Sequence, residues 1–129
     1  MKKNATKKGF TLIELLVVIA IIGMLSSIVF ASLNDARKKG RVAQMQGSMR
    51  SIQTAAVLCM DDGAALTTPA AAAVVCTGSA TTYGALPTTG GWSYGGTDLV
   101  TSDGTFLISA TATGDAKTIT CTESGCTTS

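Results

Sequence analysis

The hydrophobic pattern of the chain changes period twice. From Phe10 to Leu33 apolar residues are nearly continuous, and Glu14 is the one charged residue among them. These 24 residues would extend about 36 Å as a helix, enough to cross a hydrocarbon core about 30 Å thick. From Asn34 the pattern becomes amphipathic. Val42, Met45, Met49, Ile52, Ala56 and Cys59 recur at steps of three and four, while Arg41, Gln44, Ser48 and Ser51 fall off that stripe. The spacing predicts that the helix continues to about Met60, with Asp61-Asp62-Gly63 ending it and Gly63 suited to a left-handed cap. A helix of such length lies outside globular norms. It is reasonable where the first half is covered by lipid or by other chains and only the second half by its own domain.

Beyond the helix the signals weaken. Residues 64–91 are rich in Ala, Thr and Gly and read as a loop region, with Ala70 to Val75 able to form a helical turn or a short strand. Gly90-Gly91-Trp92-Ser93-Tyr94-Gly95-Gly96 has no phosphate-loop spacing, so Trp92 and Tyr94 read as packing residues. Alternation returns late. Phe106, Ile108, Ala110 and Ala112 face one side, and Ile119 with Cys121 repeats the pattern. Ser102-Asp103-Gly104 and Gly114-Asp115 are turn signals. A three-stranded antiparallel meander over about 97–122 is predicted, with strands at Thr97 to Thr101, Thr105 to Thr113 and Lys117 to Thr122. Its apolar face needs a cover, and the Met45 to Cys59 stripe is available. The fold class is therefore α+β.

Charge sharpens the division. The formal net charge of +2 conceals four lysines before the apolar run, Lys2, Lys3, Lys7 and Lys8. Without them, 6 basic residues face 8 acidic ones. Arg37, Lys38, Lys39, Arg41 and Arg50 form a basic collar opposed by Asp35. After Met60, only Lys117 opposes Asp61, Asp62, Asp98, Asp103, Asp115 and Glu123. The collar reads as a solvated face touching lipid headgroups rather than as a nucleic-acid site. The first lysines place the N-terminus in the cytoplasm.

A secretory signal peptide would share the basic start, but its apolar core has 7 to 15 residues and ends at a small-residue cleavage site, and this run does neither. Glu14 is the second departure, since a carboxylate inside a membrane segment marks function and demands a partner. With its basic leader, Gly9, Phe10, Thr11-Leu12-Ile13, Glu14 and the apolar run, the chain resembles the type IV pilins and the pseudopilins of type II secretion. The resemblance implies a pilin fold and a leader over 1–9. A prepilin peptidase would cut between Gly9 and Phe10, with N-methylation of Phe10. Glu14 would be the assembly carboxylate that meets the Phe10 ammonium of a neighbour. It further implies a filament-core or transmembrane helix over 10–33, an amphipathic half over 34–60 and a small head over 61–129.

The expected function follows from the resemblance. The chain would be a structural subunit rather than an enzyme, held once through the inner membrane, engaged by an assembly platform and polymerised with other pilins into an extracellular filament. The runner-up is a periplasmic pseudopilus of type II secretion. A DNA-binding minor pilin rests on the collar alone.

Cysteines and carboxylates complete the chemistry. Cys59, Cys76, Cys121 and Cys126 are an even set in an exported domain, and three pairings are open. Short loop closure selects Cys59 with Cys76 and Cys121 with Cys126, Ser124-Gly125 turning the second. No Cys-x-x-Cys and no histidine occur, which argues against redox, zinc-ribbon and general-base chemistry. No cofactor or metal is expected. Calcium at Asp98 and Asp103, as in major pseudopilins, ranks below a turn-forming role for these residues.

Overall fold

The computed structural model describes residues 9–97, 99 and 104–129, and divides into two units, residues 1–37 and 38–129. Helix α1 spans Leu12–Asp61. Its part in the first unit carries the apolar run, and none of the side chains from Leu12 to Leu33 is buried. Ser26 and Ser27 interrupt the apolar surface without leaving orphan hydroxyls. Their Oγ atoms donate back to the carbonyls of Ile22 (2.7 Å) and Met24 (2.8 Å). An 18-residue window there has mean hydropathy 2.7, long and apolar enough to span a bilayer.

In the second unit the helix buries Met45, Met49, Ile52, Ala55, Ala56 and Cys59. The predicted stripe is thus realised, with Val42 half-buried and Ala55 added. It ends in a Schellman motif. Ala64 N–H donates to Cys59 O (2.8 Å) and Gly63 N–H to Met60 O (3.0 Å), with Gly63 at φ 72°. No basic residue occupies the last turn, so Asp61 and Asp62 lie at the negative end of the helix dipole without a local cation.

The sheet has four antiparallel strands in the order β1 (Trp92–Thr97), β2 (Leu107–Ala112), β3 (Lys117–Thr122) and β4 (Gly125–Thr128). Phe106, Ile108, Ala110, Ala112, Ile119 and Cys121 point inward against the helix, as the alternation requires. The first strand of the sheet lies at Trp92–Thr97, pairing Gly95 with Ser109 and Gly96 with Ile108; of the expected strand Thr97 to Thr101, residues 98, 100 and 101 lie outside the described residues. Residues 98 and 100–103 lie outside the described residues, so Asp98, Asp103 and the Ser102-Asp103 part of the turn signal are not placed. Two glycines hid this strand because they lower strand propensity. They are needed there: a Cβ on Gly96 would come 2.9 Å from Pro69 Cγ, and one on Gly95 would come 3.1 Å from Ser109 Oγ. Strand β4 has four residues with no alternation, and it is held in register by Cys121 opposite Cys126.

Residues 64–91 have little regular structure beyond the single bridges Leu66 to Cys76 and Val74 to Thr82. They nonetheless supply core. Leu66, Val75 and Tyr83 are buried; the Tyr83 hydroxyl donates to Thr67 O (3.2 Å), and burial, with the neighbouring Tyr94, pushes its pKa up to about 12. Disulfides join Cys59 to Cys76 and Cys121 to Cys126.

Candidate processing and assembly site

Gly9 and Phe10 precede the first helical turn, and Phe10 is 90% exposed. The next four residues are locked locally. Thr11 donates to Glu14 Oε2 twice, from its N–H (2.8 Å) and from its hydroxyl (2.8 Å). Glu14 N–H donates back to Thr11 Oγ1 (3.3 Å). This is a capping box: the N-cap threonine and the glutamate three residues on satisfy each other's orphan N–H groups. The pattern Thr-x-x-Glu was legible at Thr11-Leu12-Ile13-Glu14. Reading Glu14 only as a buried charge overlooked it. Glu14 therefore has a partner within its own chain, one residue from the N-terminus that cleavage after Gly9 would create.

A second polar constellation lies in the other unit and was not foreseen. Arg41 forms a forked pair with Asp115, Nε to Oδ2 at 2.8 Å and the second guanidinium nitrogen to Oδ1 at 2.5 Å. Trp92 Nε1 donates to Asp115 Oδ2 (3.3 Å). The Asp115 side chain is 2% exposed and Arg41 23%, which makes this the ion pair among the described residues. The guanidinium hydrogen bonds hold the Asp115 carboxyl below the usual carboxylate range and raise Arg41, with burial opposing both. The reading of the collar as a uniformly solvated face is corrected for Arg41. Its planar fork matches a carboxylate, and burial rewards that match. Sequence spacing could not reveal a pair 74 residues apart.

Tight backbone contact surrounds this pair. A Cβ on Gly90 would sit 2.5 Å from Asp115 Oδ2, and Gly114 N–H donates to Gly90 O (2.9 Å). With Gly90 at φ 94° and Gly91 at φ 61°, only glycine suits the segment entering β1. Nothing in the arrangement offers a nucleophile beside a base, and no metal-ligating cluster occurs among the described residues. Its chemistry is structural.

The comparisons bear on the first of these two places. Residues 4–30 match the family described as the prokaryotic N-terminal methylation motif, and the match encloses Gly9 through Glu14. Over 60 residues the chain is 35% identical to a type IV major fimbrial protein, FimA, of Dichelobacter nodosus, covering 46% of this chain and 38% of that protein. Over 57 residues it is 39% identical to the type IV major alpha-pilin of Moraxella bovis, covering 44% of this chain and 36% of the relative. These findings show a similarity to type IV pilins that lies within less than half of the chain. The pilin-type match spans well under half the length of those curated relatives. No solved structure matches the chain. Its fold agrees with the family expectation, one long N-terminal helix packed on a small antiparallel sheet. The relatives are named as a type IV major fimbrial protein and a type IV major alpha-pilin.

Proposed function

We propose that this pilin-like subunit is cut between Gly9 and Phe10, methylated on the new Phe10 amine, and polymerised with like subunits into an extracellular type IV filament. One observation carries the reading: the matched motif Gly9-Phe10-Thr11-Leu12-Ile13-Glu14 opens an apolar helix in which Glu14 is the lone charge. Before assembly the apolar segment spans the inner membrane, with the leader in the cytoplasm and the head outside. Moving it from lipid to a bundle of neighbouring helices exposes no apolar surface to water, so that exchange is nearly neutral in hydration.

The charges decide order. A carboxylate taken alone into an apolar bundle is expensive, whereas one paired with an ammonium is tolerated and sets register. Thr11 holds Glu14 until the Phe10 ammonium of an adjacent subunit arrives, so the carboxylate is never without a partner. The DNA-binding alternative is weakened by Arg41, which the collar gives up to Asp115.

Mass spectrometry of the N-terminal peptide from sheared surface material tests the proposal. The expected product begins at Phe10 and carries one methyl group. A retained Met1 in assembled material overturns it.

A further inference from the structure

Two charged surfaces of the second unit form no ion pair among the described residues. At the C-terminal end of α1, Val57 and Leu58 remain 39% and 61% exposed, while their neighbours Ala55, Ala56 and Cys59 are buried. With Met60 and Phe106 they line a groove of about 350 Å³, bordered by the exposed carboxylates Asp61 and Glu123. The helix dipole adds negative potential at Asp61, and the last turn holds no basic residue. At the other end of the same unit, Lys38 and Lys39 are exposed and in no ion pair among the described residues.

We propose that this groove receives Lys38 and Lys39 of a second copy of the chain, so that the acidic end of one head seats the basic end of the next. The inference rests on the filament reading above and adds the surfaces by which the heads meet. A lysine suits the groove chemically. Its methylene stem lies along Leu58, Val57 and Phe106 while its ammonium reaches Asp61 or Glu123. The same chain cannot supply it. Lys39 and Asp61 stand 22 residues apart on one helix, which sets them about 33 Å apart along the axis. In the parallel arrangement of the filament reading the contact is heterologous, and repeated with an axial rise it propagates as an open helical array. Neighbouring copies in this contact are staggered by about 33 Å along the helix axis. Rim charges of this kind set register and discriminate partners, and salt weakens them.

Charge reversal in the full chain tests the contact, with filaments recovered by shearing as the readout. Reversing one end, Lys38→Glu with Lys39→Glu, or the other, Asp61→Lys with Glu123→Lys, should each lower recovery about tenfold, and combining all four should restore it to within about threefold. Lysine at position 61 suits a helix C-terminus, so loss of assembly in that variant does not arise from a weakened helix. Zero-length coupling of amines to carboxylates in unmodified filaments should yield inter-chain peptides linking Lys38 or Lys39 to Asp61 or Glu123. Normal recovery from either single-end reversal overturns the contact, as does a loss that the combined variant fails to restore. So does an absence of those cross-links. An unmodified chain that forms no filament at all overturns the filament reading, and this contact with it.

Discussion

Asp115 ties together three segments that are distant in sequence. It accepts from Arg41 on the helix and from Trp92 at the start of β1, and it lies in the turn between β2 and β3. The neighbouring Ala116 takes φ 50°, a conformation usually left to glycine or asparagine, and helps aim the carboxylate inward. Because the folded carboxyl has a depressed pKa, its contribution is complete above the unfolded value of about 4 and fades as pH falls through the folded value. Arg41 and Trp92 touch the group, and Lys38 adds attraction through space. Asp115→Asn keeps an acceptor for Trp92 but loses the charge. It should lower the urea midpoint of the detergent-solubilised chain at pH 7 and flatten the acid limb of the stability profile. Trp92 is the single tryptophan, so its fluorescence reports the transition at the site itself. An unchanged acid limb in the variant would place the pH dependence elsewhere. Arg41→Met combined with Asp115→Asn should cost less than the two separate losses added, since they share one interaction.

The helix and the two disulfides show how unequal the legibility of elements is. Periods of 3.6 and 2 were readable where side chains alternate cleanly, so α1, β2 and β3 were placed from Met45, Ile52, Ile108 and Ile119. Gly63 as the cap was readable too, because few residues accept its left-handed backbone. Strand β1 was hidden because Gly95 and Gly96 trade propensity for close approach to Pro69 and Ser109. Strand β4 was hidden because four residues carry no period. The Arg41–Asp115 pair was hidden because charge complementarity over 74 positions leaves no local trace. At the N-terminus the motif was plain, while the threonine that anchors Glu14 went unread. Gly63→Ala should destabilise by about 1 kcal/mol, since alanine resists φ 72° and the Schellman bonds depend on that angle. Replacing Cys59 and Cys76 together by serine should cost about 3 kcal/mol and replacing Cys121 and Cys126 about 2, because the sequence separations are 17 and 5. Urea titrations of the variants decide the order.

For the whole molecule, the proposal separates processing from assembly. In the proposed function Gly9 and Phe10 would serve the peptidase and Glu14 the neighbour, so Glu14→Val should be cut normally yet fail to enter filaments. Normal filaments from that variant would remove the ion-pair mechanism while leaving cleavage intact. The head contributes through its surface. The segment from Cys59 to Cys76 is closed covalently at both ends, and just beyond it Gly78 turns at φ 89° with open space around its Cα. Local loosening at Gly78 is therefore fenced off from α1 by a covalent tie. A short foreign peptide spliced at that turn would project into solvent without prying open the core, which makes it a natural place to display a tag or an epitope on the head.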